Sequence, residues 1–142
     1  MFITAAQKEQ IRTWLMGLQE RTDWMLALAK RQDAWERDLT WRLAAERALH
    51  TSVEYTTDIG TLIIDALVMR DPGGYADILK VLVEEDVLPE EWFAAVYGVF
   101  DLRARFIRDH ANVQPGEVRA AIETYAPLFA PFADHITRFV QL

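Results

Sequence analysis

From Leu39 to Met69 the chain keeps a helical rhythm, with no proline and a single glycine, Gly60. Leu39, Leu43, Leu49, Val53, Gly60, Ile64 and Leu67 recur there at the spacing of one helix face. Arg70-Asp71-Pro72-Gly73-Gly74 then stops the helix, because proline cannot donate to it and glycine readily takes positive φ. A first helix is predicted to start at Thr4, where Thr4 and Gln7 form a capping box, and to run to about Gln32. Its apolar stripe is Ile11, Trp14, Leu15, Leu18, Met25 and Leu28. A shorter helix is predicted from Tyr75 to about Glu85. Pro89 suits the first position of a fourth, which should reach about His110. After the loop Asn112–Gly116 a last helix begins near Glu117, and Pro127 and Pro131 should kink or split it. No stretch alternates β-branched and polar residues, so no strand is expected. The expected fold is all-α: an up-and-down bundle of four or five helices in one domain, residues 1–142.

Composition narrows the chemistry. The chain has no cysteine, which excludes a disulfide framework and any thiolate metal site. Met1–Gln10 reads as neither a signal peptide nor an apolar span. Asp65 interrupts the longest apolar run, Leu62–Met69, far short of the roughly 20 residues a membrane span needs. A cytoplasmic protein that does not enter membranes is expected. The net charge of −7 argues against coating nucleic acid non-specifically, but it leaves room for a small basic pocket or a basic partner.

Polar residues that face inward are the most informative. At about 100° per residue, Glu46 and His50 fall inside the apolar stripe of the second helix, and Glu54 and Asp58 fall at its edge. The face formed by Trp92, Val96, Val99, Phe100, Phe106 and Ile107 also carries Arg103 and His110, two turns apart if the helix is unbroken. Arg105 and Arg108 project from the other side. Two readings stay open. In one, Glu46 and Arg103 form a structural ion pair, and His50 and His110 are satisfied, half-buried residues. In the other, Arg103 and His110 meet a phosphodiester in a cleft, with arginine holding the phosphate and histidine moving a proton. RNA brings its own nucleophile, the 2′-hydroxyl, so no metal or other cofactor is expected. A di-iron bundle would need two Glu-x-x-His motifs, and there are none. No glycine-rich phosphate loop is present. The tryptophans read as core and interface residues.

The stretch Ala44–Val113 carries a family resemblance. Ala45-Glu46-Arg47-Ala48-Leu49, Asp58-Ile59-Gly60, Met69–Tyr75, Asp77-Ile78-Leu79 and Glu84–Glu91 together resemble the HepT-like toxin family of the HEPN superfamily. The resemblance implies an all-helical dimer. It implies a metal-independent RNase toxin, neutralised by a minimal nucleotidyltransferase antitoxin that in some pairs adenylylates a tyrosine. The family signature is Arg, four to six residues, then His, usually followed by one residue and Tyr. Ungapped alignment puts Arg103 on the arginine, Arg108 on the histidine and His110 on the tyrosine. A looser spacing pairs Arg103 with His110, and a tighter one pairs Arg105 with His110. With His110 as the histidine, Asn112 stands where tyrosine is expected. The preferred catalytic pair is Arg103 and His110, with Arg108, Arg105, Glu46 and Asn112 in supporting or alternative places.

Two functions follow. One is the RNase toxin. The other is a homodimeric, catalytically degenerate module that pairs with a nucleotidyltransferase-like partner, or binds nucleotide or RNA without cutting it. Five Trp and seven Phe in a small bundle point to an apolar interface between copies.

Overall fold

The computed structural model describes residues 2–142; Met1 lies outside them. Every regular element in that range is helical. The Thr4–Gln7 capping box forms as expected: Gln7 N donates to Thr4 Oγ1 at 3.1 Å, and Thr4 N to Gln7 Oε1 at 2.8 Å. It opens α1 (Ala5–Ala29), which buries Ile11, Leu18, Thr22, Met25 and Leu28. A 3-10 turn at Trp35–Arg37 leads to α2 (Leu39–Leu67). Asp38 starts that helix by accepting from Thr40 N at 2.9 Å.

The two long helices run antiparallel. Trp24 stacks on Trp41, Arg21 Nε donates to Thr51 Oγ1, and Gly17 faces Tyr55. Gly17 permits that approach, because a Cβ there would lie 2.4 Å from the Tyr55 hydroxyl oxygen. α2 ends earlier than Met69, because Val68 takes the left-handed conformation (φ 52°). Met69 N closes the end on Ile64 O at 3.0 Å. Left-handed backbone costs a β-branched residue about 1–2 kcal/mol.

The Arg70–Gly74 segment is a structural turn. Arg70 grips Asp77 with both Nη groups at 2.8 Å and Glu84 with Nε at 2.8 Å, and Gly73 N donates to Asp77 Oδ2. These contacts seat α3 (Tyr75–Glu84) across α2 at Gly60, where a Cβ would meet Ile78 Cγ2 at 2.8 Å.

The expected fourth helix is two, α4 (Glu90–Val96) and α5 (Val99–Arg108). Pro89 precedes α4 as its cap and is not its first helical residue. At the Tyr97–Gly98 junction the missing Cβ of Gly98 makes room for Tyr125: a Cβ there would sit 2.4 Å from the Tyr125 hydroxyl oxygen. The last helix divides as the prolines require, into α6 (Pro115–Tyr125), a 3-10 turn at Ala126–Leu128, and α7 (Phe129–Val140). Pro131 falls in the first turn of α7, where its missing N–H is tolerated. The core gathers Ile11, Leu18, Met25, Leu28, Trp35, Leu49, Ile59, Ile63, Leu79, Leu82, Phe129 and Phe132.

Three residues expected inside are not. Leu39, Leu43 and Ile107 are 56%, 54% and 49% exposed. Leu43 lies about 120° around the helix from buried Leu49, outside the sector the bundle covers.

Candidate functional site

Arg103 projects from α5 into the bundle wall with 15% of its side chain exposed. Its Nε donates to Glu54 Oε1 on α2 at 2.7 Å, so the ion pair is with Glu54 and not with Glu46 as one reading of the sequence expected. Glu54 lies two turns further along α2, where α5 crosses it. The Tyr75 hydroxyl, from the start of α3, donates to Glu54 Oε2 at 3.0 Å. The Arg103 guanidinium carbon lies 3.4 Å from the centre of the Tyr75 ring. His50 Nε2 is 3.3 Å from Glu54 Oε1. Burial pushes the Glu54 carboxyl up, but the Arg103 and Tyr75 hydrogen bonds and the charges of Arg103 and His50 hold it below the ordinary carboxylate range. Burial, then the bond to Glu54, raises the Tyr75 phenol. Burial and the negative Glu54 raise Asp58.

Arg103 uses only Nε in these contacts. Its two Nη groups have no hydrogen-bond partner among the described residues. They belong to a side chain that lines a depression of about 550 Å³ together with Arg21, Arg47, His50 and Glu54. A second depression, about 200 Å³, is lined by Leu43, Glu46, Arg47, His50, Phe106 and His110. Arg47 and His50 line both, so the two adjoin. A third, about 420 Å³, opens between Trp24 and Ala48 and shares Arg21, Arg47 and Thr51 with the first.

The structure corrects the path to His110. The helix does not reach it: α5 stops at Arg108, Asp109 leaves helical geometry (φ −143°, ψ 37°), and His110–Asn112 form a 3-10 turn. His110 is therefore exposed rather than inward on the Arg103 face, yet it borders the smaller depression. The cause is the loop that follows. Arg105 Nη2 reaches Asn112 O at 3.2 Å and Glu117 Oε2 at 2.9 Å, and Asn112 Nδ2 donates to Asp109 Oδ1 at 2.6 Å. Arg105 and Asn112 are thus occupied in shaping that loop. Arg108 is exposed at the helix end. Glu46 borders the His110 depression; burial raises its carboxyl, against the pull of Arg42 and His110. Among the described residues no group of three His, Asp or Glu side chains converges as a metal site.

Periodicity placed Arg103 facing inward but missed its carboxylate and Tyr75. The available signal was the four-residue spacing of His50 and Glu54, which puts both on one side of α2.

The model of the family described as "Ribonuclease HepT-like" matches residues 18–136. YutE of Bacillus subtilis (strain 168), named as a candidate RNase, is 28% identical over 116 residues, covering 82% of this chain and 80% of YutE. A solved structure of YutE, described as a cytosolic protein, superposes with a TM-score of 0.84 at 25% identity, covering 99% of this chain and 94% of that one. The Shewanella oneidensis HEPN toxin, tri-AMPylated and in complex with its MNT antitoxin, shares the fold (TM-score 0.81) at 15% identity. That match covers 90% of this chain and 96% of the toxin. No helix among the described residues is long and apolar enough to cross a membrane.

Proposed function

The chain belongs to the HepT-like ribonuclease family, and from that we propose that it is the toxin of a toxin–antitoxin pair, a metal-independent endoribonuclease whose partner is a minimal nucleotidyltransferase. The observation that carries this reading is Arg103. Glu54 and Tyr75 fix its guanidinium by one edge and one face, and both Nη groups are left to grip a phosphodiester. A fixed guanidinium spends no reorganisation when charge builds on the phosphoryl oxygens. Next to it, His110 borders the adjoining depression and serves as a proton-transfer group. The attacking group is the substrate's own 2′-hydroxyl. The complex of the Shewanella oneidensis toxin with its MNT antitoxin supports the choice of partner. With Asn112 at the family's tyrosine position, the partner would block this chain by binding rather than by modifying a phenol there. The description of YutE as cytosolic supports the same location.

Leu39 and Leu43 on α2 and Ile107 on α5 are exposed, with Leu43 at the edge of the smaller depression, and we assign them to a homodimer interface. The test of the activity is a matched pair of oligonucleotides in chelator. All-RNA should be cut, and its 2′-deoxy counterpart should stay intact. Cutting of both would remove the 2′-hydroxyl mechanism.

One observation favours a non-catalytic module: Arg108 stands at the family's histidine position and His110 lies beyond the helix end. RNA or nucleotide bound tightly and recovered whole would select that reading.

A further inference from the structure

We infer that His50 and His110 form an acid–base pair across the smaller depression, with His50 as the base and His110 as the acid; this rests on the ribonuclease reading above. The chain has three histidines. His135 lies on α7 beside Arg138, and the other two line one depression of about 200 Å³. They arrive from different elements, His50 from the middle of α2 and His110 from the 3-10 turn after α5.

Their surroundings differ in burial and in what holds each ring. His50 is half-buried, and its Nε2 faces the Glu54 carboxylate at 3.3 Å. With Nε2 turned to that carboxylate, Nδ1 is the ring nitrogen left to take a proton. His110 is exposed at the rim, opposite the Glu46 carboxyl. At the open rim its imidazole is placed to reach the leaving oxygen of a bound strand. Arg47 lines the same depression. It lines both depressions, and its guanidinium has no ion-pair or hydrogen-bond partner among the described residues. A phosphodiester lying across the two adjoining depressions would have Arg47, and from the larger one the Nη groups of Arg103, on its non-bridging oxygens.

The step balances without a co-reactant. The 2′-hydroxyl proton passes to His50 Nδ1 as the 2′-oxygen forms its bond to phosphorus. The bond from phosphorus to the 5′-oxygen breaks, and that oxygen takes a proton from the His110 imidazolium. The products are a 2′,3′-cyclic phosphate and a 5′-hydroxyl. His50 ends charged and His110 neutral, and exchange with water resets both. The histidine missing from the family position is thereby replaced by an imidazole from another helix.

The leaving group tests the roles. An RNA dinucleotide needs an acid to protonate its 5′-oxygen, whereas a uridine 3′-(4-nitrophenyl phosphate) ester does not. His110→Ala should lose about 10²–10⁴-fold on the dinucleotide and little on the aryl ester, whereas His50→Ala should lose on both. His50→Gln, which keeps a donor toward Glu54, serves if the alanine variant does not fold. A His50 variant that is folded and retains wild-type rates on both substrates overturns the pair. Imidazole NMR of the whole protein with a 2′-deoxy dinucleotide gives a reading independent of turnover. Both His50 and His110 should shift, with His135 as the unmoved control, and a silent His50 overturns the pairing. If the wild type cuts neither substrate, the ribonuclease reading fails and the proton roles fail with it.

Discussion

Glu54 accepts from Arg103 Nε at 2.7 Å, and that one carboxylate ties α2, α3 and α5 together, because Tyr75 and His50 share it. Glu54→Gln keeps the shape and removes the charge. It should cost about 1–3 kcal/mol in urea unfolding at neutral pH, because Arg103 is left beside a weaker acceptor. The folded carboxyl titrates below its unfolded value, so its stabilising share is present above the unfolded pKa and is lost as pH falls through the folded one. The gap between wild type and variant should therefore close in acid. A gap independent of pH would contradict the charge argument.

Glu46 carries the opposite sign. Burial raises its carboxyl, so the folded state is favoured below the unfolded pKa and penalised as pH rises through the folded one. Glu46→Gln should raise the melting temperature at pH 7 and leave it unchanged well below about pH 4. A loss of stability at pH 7 would show that Glu46 has a favourable partner in solution.

The crossing of α2 and α3 depends on Gly60. Gly60→Val should cost about 1–3 kcal/mol, because its side chain would overlap Ile78 and crowd Leu82. Chemical unfolding followed by circular dichroism reads this directly, and an unchanged midpoint would mean that the crossing is looser than drawn.

The assigned dimer face can be broken without touching the core. Leu43→Glu combined with Ile107→Glu should leave helicity intact and convert a dimer at micromolar concentration to a monomer in light scattering. A wild type that is already monomeric there would remove the interface.

Much of this fold could be read from local chemistry. The Thr4–Gln7 box and the split at Pro127 each act through backbone groups within a few residues, and those element boundaries follow, whereas α2 already ends at Leu67, ahead of the Pro72-Gly73-Gly74 stretch. What escaped depends on distant packing. Gly98 alone is compatible with a continuous helix, and the packing of Tyr125 against it at the α4–α5 junction is not announced by the local sequence. The early end of α5 is fixed by Arg105 reaching Glu117. In the site, the inward face of Arg103 was legible from periodicity. Its partner was not, since Glu46 and Glu54 both lie toward the interior on α2 and only the crossing point of α5 chooses between them.

Metal-free cleavage of RNA through Arg103 is open to direct test. Purified wild type and Arg103→Ala should be compared on mixed RNA in excess chelator, with folding of both checked by circular dichroism. The wild type should cleave and the variant should lose about 10²–10³-fold, with Arg103→Lys failing to restore cleavage because lysine lacks the planar fork. Equal cleavage by wild type and folded Arg103→Ala, or none by the wild type on any RNA tested, would contradict metal-free cleavage through Arg103.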